Sequence, residues 1–191
     1  MNNFDLSRQL ARLANYLYIA GDESHTAALY AAVHTVSRLP GASVAESAKS
    51  GSTDPLSDLA PDWRGGLPGQ AAQTADLDAG AGSANAAGDA DRAFVAHAIS
   101  EILETGQSHI LAQPIDDIPL TVVELAEVPA LGAKRARRIW KQYSIASLDE
   151  LDQALRSRRL ADMEGAGPKM LEAIRVYIEQ TREAARVGSA S

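Results

Sequence analysis

The sequence predicts an all-α protein, and three observations carry that prediction. Apolar residues recur at helical spacing in several separate stretches, and no stretch alternates apolar with polar residues as a half-buried strand would. Capping residues and glycine stops flank those stretches. Aromatic residues make up only 5% of the chain, so the core is expected to be built from Leu, Ile, Val and Ala, as in small helical domains. The expected architecture is a small helical domain, a long disordered insertion and a C-terminal region of two repeated helical hairpins.

Taken in order, residues 4–20 place Phe4, Leu6, Leu10, Leu13, Leu17 and Tyr18 on one apolar stripe, with Asn3 as N-cap and Gly21 as stop. A second helix over about 24–38 runs through Ala28, Leu29, Ala32, Val33 and Val36 and ends before Leu39-Pro40-Gly41. These two, within residues 1–40, read as an antiparallel pair. Residues 41–91 hold thirteen alanines and eight glycines without periodicity, and are expected to be a disordered insertion. Trp63, alone among polar neighbours, is the exception that would dock onto something. Order is expected to resume at Arg92, with Phe94, Val95, Ala98, Ile99, Ile102 and Leu103 on one face and Gly106 as stop. Residues 92–118 then complete the first domain and its linker.

Residues 119–186 form the second region. Thr121 and Glu124 have capping-box spacing and open a short helix; another helix covers about Ala133 to Tyr143. Ser147 and Glu150 repeat the box and start a helix to about Arg158. A long final helix reaches about Arg186, and residues 187–191 are expected to be a disordered tail.

The chain has no cysteine, which excludes disulfide scaffolds and thiolate metal sites and fits a reducing compartment. No apolar run approaches the roughly 20 residues that span a bilayer, and MNNFDLSRQLARLA lacks a basic-then-apolar leader pattern. A cytoplasmic protein without membrane partners is expected. Net charge is −7, but it is unevenly spread. Residues 41–91 carry eight acids against two bases, whereas residues 132–186 carry twelve bases against eight acids. A polyanion responds to the local field, which the whole-chain average hides.

The most informative feature is a near-repeat. Residues 125–140 read LAEVPALGAKRARRIW and residues 160–175 read LADMEGAGPKMLEAIR. At one constant offset they share Leu125/Leu160, Ala126/Ala161, Glu127/Asp162, Val128/Met163, Gly132/Gly167, Lys134/Lys169 and Ile139/Ile174. Each copy looks like the hairpin of a helix-hairpin-helix unit. A helix N-terminus offers unpaired N–H groups and the positive end of its dipole, and phosphate binds there if the backbone can come close. Glycine removes the Cβ that would hold phosphate away, and Pro168 sits where a missing N–H costs little. The corners are Pro129-Ala130-Leu131-Gly132 and Glu164-Gly165-Ala166-Gly167. Lys134 and Lys169 lie two residues beyond the glycine, and Arg135, Arg137, Arg138 and Lys141 extend the positive surface. The expected DNA-binding residues are Val128, Ala130, Gly132, Lys134, Arg135, Arg138, Gly165, Gly167 and Lys169. Leu125, Val128, Ile139, Met163 and Ile174 are expected in the core.

Other constellations are weaker. His25, His34, His97 and His109 show no metal-ligand spacing with acids, and His97 is expected on a partly exposed face. Asp116-Asp117 lies between Pro114 and Pro119 and reads as a turn or cap. There is no nucleotidase phosphate loop, Ser/His/Asp pattern or cofactor box.

EILETG at 101–106, followed by LTVVELAEVPALGAKRARRIWKQYSIASLDELDQAL, closely resembles the N-terminal half of family X DNA polymerases, the DNA polymerase beta family. RLADMEGAGPKMLEAI resembles the segment leading into the palm of bacterial members, and LARLANYLYIAG and ALYAAVHTVSRLP resemble the family's amino-terminal helices. The resemblance covers roughly residues 4–40 and 92–180. It implies non-specific contact with gapped, nicked or ended duplex DNA and a sodium or potassium ion at the backbone of Val128 and Leu131, with no other cofactor. The family's palm, with its paired aspartates for two magnesium ions, has no counterpart in these 191 residues, so no nucleotidyl transfer is expected from them. The family's hairpin after the first helical pair is missing or dissolved into the Ala/Gly-rich stretch. Lyase chemistry in some members needs a Schiff-base lysine; the matching position is Ala98, the neighbouring basic position is Phe94, and Tyr30, Ala31 and His34 replace the usual second-helix bases. No lysine falls in the expected helices before Lys134, so an enzyme is not expected. The expected partners are DNA and a separately encoded catalytic or repair subunit; the alternative reading is a protein-interaction subunit of a split polymerase or repair complex whose hairpins have lost DNA contact.

Overall fold

The computed structural model describes residues 1–60, 81–112, 118–160, 163 and 166–188. All regular structure among them is helical. The chain divides into two compact units, Met1–Ile115 and Asp116–Ser191, so the break falls slightly before the boundary at 118 expected from sequence.

The first unit is built on α1 (Asn3–Ala20), α2 (Glu23–Val36) and α5 (Ala81–Thr105). Leu10, Leu13, Ala14, Ala28, Leu29, Ala32, Val36, Val95, Ile99 and Ile102 form its core, all at most 0% exposed. The alanines let α1 and α2 pack closely, and α5 lies against both. Gly21, at φ 102, ends α1 by donating to the Leu17 and Tyr18 carbonyls, and Gly106, at φ 87, ends α5. Both stops follow the expected logic, since a left-handed residue closes a helix at least cost when it is glycine.

Three details of this unit differ from the sequence reading. The N-cap of α1 is Asn2, whose Oδ1 accepts the Asp5 N–H at 2.8 Å. Asn3 is instead 4% exposed and fastens the chain after α2: its Nδ2 donates to the Leu39 and Pro40 carbonyls and to Ser43 Oγ at 3.1–3.3 Å. Phe4 belongs to no buried stripe; it is 69% exposed, because the core faces of α1 are already filled by Leu6 and Leu10.

The third difference is larger. The segment expected to be disordered from residue 41 folds over its first part into α3 (Ser43–Lys49) and α4 (Pro55–Leu59), which pack together. Val44 and Leu56 are fully buried. Asp54 caps α4 by accepting the Ser57 N–H at 3.1 Å, and Arg92 Nη2 reaches from α5 to Ser57 Oγ at 2.9 Å. Helices of seven and five residues are too short to show periodicity, and only tertiary contacts make them legible. Helix α5 also begins at Ala81, well before Arg92. Trp63 lies outside the described residues. A short α6 (His109–Ala112) follows, packing on α1.

Around it, burial pushes the Glu101 carboxyl up, but hydrogen bonds from His109 and Ser108 outweigh this and hold it below the ordinary carboxylate value. His97 is exposed, as expected, with its ring edge-on to His109 at 6.5 Å. Among the described residues no group of His, Asp and Glu is arranged to hold a metal ion.

The second unit comprises α7 (Leu120–Glu127), α8 (Gly132–Tyr143), α9 (Leu148–Arg156) and α10 (Pro168–Gly188). Leu125, Val128, Ile139, Met163 and Ile174 are 0–4% exposed, the core positions expected from the repeat. Ser147 caps α9 as its box spacing implies, accepting the Glu150 N–H at 3.3 Å while Glu150 Oε2 accepts the Ala146 N–H at 2.7 Å. Thr121 does not cap α7: the N-cap is Pro119, with no side-chain bond, and Thr121 is already helical. Helix α9 stops at Arg156, and Arg158 turns left-handed at φ 57. Helix α10 continues past Arg186 to Gly188, into the expected tail. Asp116 and Asp117 lie outside the described residues. Among those described, no helix is long and apolar enough to cross a membrane.

Candidate nucleic-acid interface

The two sequence repeats make the same backbone corner. In the first, the Val128 N–H donates to the Leu125 carbonyl at 3.2 Å and the Leu131 N–H to the Val128 carbonyl at 3.0 Å. In the second, the Met163 N–H donates to the Leu160 carbonyl at 3.2 Å and the Ala166 N–H to the Met163 carbonyl at 2.9 Å. Every donor and acceptor is displaced by 35 residues, the offset at which the sequences align. The buried Val128 and Met163 anchor the two corners, and their surfaces stay open: Pro129, Ala130, Gly132, Gly167 and Pro168 are exposed. Gly165 and Glu164 lie outside the described residues.

At the first corner Ala130 has φ 67 and Gly132 also has φ 67, with Leu131 right-handed between them. A right-handed residue followed by a left-handed one turns successive amides toward one side, an anion-binding arrangement. The Gly132, Ala133 and Lys134 N–H groups, at the start of α8, have no acceptor among the described residues. A Cβ added at Gly132 or at Gly167 would meet no atom within 4 Å. Neither glycine is therefore required by internal packing. Gly167, unlike Gly132, does not have positive φ, so its small size matters only for what approaches from outside.

Lys134, Arg135 and Lys169 are exposed in the first turns of α8 and α10. Arg135 Nη1 folds back onto the Ala130 carbonyl at 3.0 Å, which braces the strained corner. Lys134, Arg138 and Lys141, spaced four and three apart, lie on one face of α8; Arg138 is half-exposed and Lys141 exposed. The carbonyls of Val128 and Leu131 face the cation question differently. That of Val128 already accepts one N–H, but a carbonyl has a second lone pair for an ion.

The position matching the lyase lysine, Ala98, is buried at 3%. Phe94 stacks on His25 with ring centroids 4.1 Å apart, and the Tyr30 hydroxyl donates to Asn15 at 2.6 Å. Burial, with Tyr18 nearby, pushes the Tyr30 phenol above its ordinary value. One expectation fails here: a lysine does stand on a helix before Lys134, because Lys49 lies exposed in the last turn of α3.

A second basic cluster lies outside the repeat's glycines and lysines. Arg156 and Arg158, at the end of α9, and Arg175, on α10, gather around one cavity of the second unit. The signals were the RSRR run at 156–159 and the spacing of Leu171, Arg175, Ile178 and Arg182 along α10. Compared with models of known protein families and with curated proteins, the chain matches none.

Proposed function

We propose that this chain is a non-catalytic, sequence-independent DNA-binding protein, an accessory or repair factor that grips the phosphate backbone through two helix-hairpin-helix corners. One observation carries the reading: two corners 35 residues apart repeat the same two hydrogen bonds while leaving a glycine and a first-turn lysine exposed. Core packing accounts for the buried Val128 and Met163 and positive φ for Gly132, but neither accounts for the exposed Gly167, with open space before it. Amides at Gly132–Lys134 and the Lys134 and Lys169 ammonium groups would hold phosphates of one or both strands at a gap, nick or end. Phosphate contacts position a protein without reading bases.

With roughly three to five phosphates contacted, affinity falls in the micromolar range or weaker and drops steeply with salt. A sodium or potassium ion at the Val128 and Leu131 carbonyls would add charge at the first corner. So weak a clamp makes sense beside a separately encoded catalytic or repair subunit, in a cytoplasmic, nucleoid-associated setting. The test is fluorescence anisotropy on a gapped duplex at low salt. Lys134→Glu with Lys169→Glu should abolish measurable binding; unchanged binding sinks the reading.

Lys49 supports a second reading, deoxyribose-phosphate lyase chemistry, since it places an amine on a helix of the first unit. Borohydride trapping on an abasic 5′-phosphate substrate separates the two. A covalent adduct lost in Lys49→Ala would establish the enzyme, and no adduct leaves the DNA clamp.

A further inference from the structure

A cavity of about 510 Å³ opens between α9 and α10, lined by Ala154, Leu155, Leu160 and Leu171 and by the guanidinium-bearing Arg156, Arg158 and Arg175. Among the described residues no acidic side chain lines it. A second cavity of about 260 Å³ shares Leu155, Arg156 and Arg175 and continues past Ile178 to Arg182. Together they form one groove. Along α10 it follows Leu171, Arg175, Ile178 and Arg182, spaced four, three and four apart, so they share one helix face over about 16 Å, or three turns.

Three like charges around an apolar floor repel one another and desolvate leucine only in part. An occupant with carboxylates and apolar side chains would offset both. The arginines keep donors open for it. Arg156 Nε donates to both Asp152 oxygens at 3.1 Å, and its terminal nitrogens take no part in those bonds. Arg175 has only a 3.5 Å surface pair with Glu172. The Arg158 guanidinium has no partner among the described residues, although its backbone is held left-handed at φ 57, a conformation that disfavours a side chain. Asp152, beside the second cavity, is already taken by Arg156 and by Arg182 Nη1 at 2.6 Å; Glu179 is the other acid there.

We infer that this groove docks an acidic amphipathic helix of a partner protein, with leucine-type side chains on the Leu155–Leu160–Leu171 floor and carboxylates on Arg156, Arg158 and Arg175. Arginine pairs carboxylates through two parallel hydrogen bonds, and a helix in an apolar groove is a recurring recognition mode. A nucleic-acid strand fits less well, because single strands bind through aromatic stacking platforms and among the described residues no aromatic side chain lines either cavity. The groove borders the second corner through Leu160, whose carbonyl accepts the Met163 N–H, but it is built from Arg156, Arg158 and Arg175 and from no residue of the phosphate clamp, so the inference does not rest on the DNA reading.

The test uses the full chain and a labelled synthetic helical peptide carrying leucine at every third and fourth position and glutamate elsewhere. A control peptide replaces its leucines by alanine at equal charge. The leucine peptide should bind at least roughly tenfold more tightly than the control, through the apolar contacts it alone makes. Arg156→Glu, Arg158→Glu and Arg175→Glu should each weaken it roughly tenfold or more. Arg158→Gly should weaken the peptide yet raise the melting temperature, because it removes the guanidinium and the backbone strain together. Lys134→Ala with Lys169→Ala should weaken peptide binding much less than any of the arginine variants. Equal binding of the two peptides, arginine variants without effect, or displacement of the peptide by single-stranded DNA would each overturn the inference.

Discussion

Three substitutions at the hairpin glycines and their neighbour separate backbone strain from ligand approach. Ala130 stands at φ 67, where a Cβ is disfavoured, and Gly132 stands at φ 67 beside it. A left-handed non-glycine residue costs roughly 1–2 kcal/mol, while glycine loses about 0.4–1 kcal/mol more than alanine in chain entropy on folding. Ala130→Gly should therefore stabilise the second unit by about 0.5–1 kcal/mol, and Gly132→Ala should destabilise it by about the same. No clash adds to the second value, since a Cβ at Gly132 meets nothing within 4 Å. Gly167 lacks positive φ and also faces open space, so Gly167→Ala should leave stability unchanged or raise it by up to about 1 kcal/mol. Its effect should appear only on DNA, as weaker binding to a gapped duplex, because the new methyl stands where a phosphate would approach. Hydrogen exchange at the Ile139 amide, in the middle of α8, reads the stability changes locally, and anisotropy reads binding. Destabilisation by Ala130→Gly would refute the strain argument. Gly167→Ala binding as tightly as the unaltered chain would refute the approach argument.

Other expectations follow from the first unit and from the α9–α10 tie. Asn3→Ala should destabilise the first unit by about 2 kcal/mol, since it removes two N–H donors, shared among the Leu39 and Pro40 carbonyls and Ser43 Oγ, at about 1 kcal/mol each; urea unfolding checks it, and a loss under 0.5 kcal/mol contradicts it. Arg92→Leu should loosen α4 selectively, seen as faster exchange at the Ala60 amide, which donates to Leu56, with α1 unaffected. The Asp152 carboxyl sits below its ordinary value of 3.8, mainly through hydrogen bonds from Arg156, with Arg182 adding to them. Its contribution to stability is therefore full above that value and lost as pH falls through the lower folded-state value. Asp152→Asn should lower the melting temperature at neutral and alkaline pH and converge with the unaltered chain below about pH 4, which flattens the acid limb; an unchanged acid limb refutes the pairing.

Much of the second unit was legible because each signal was local. The buried Val128 and Met163, the exposed Lys134 and Lys169 and the Ser147 cap all follow from spacing within one turn or one repeat. The first unit hid more, because its decisive contacts are distant in sequence. Asn3 looks like an N-cap until the Leu39 and Pro40 carbonyls are brought to it. Val44 and Leu56 look like stray apolar residues among alanine and glycine until Arg92 and Asp54 fasten α4 to α5. The arginine groove escaped notice for a related reason. Arg156 and Arg158 stand well apart from Arg175 in the sequence, and only packing of α9 on α10 brings Arg175 opposite them. Ala130 shows the converse: nothing in its residue type announces a left-handed corner, yet the structure keeps one there at φ 67 and braces it with Arg135.

The salt dependence of binding to a gapped duplex tests the phosphate clamp most directly. The slope of log affinity against log salt should fall by roughly 0.9 for each phosphate contact removed, so Lys134→Ala and Lys169→Ala should each reduce it by about one and the pair by about two, for any base sequence around the gap. A slope that neither lysine changes, or one that changes with sequence, would contradict the clamp.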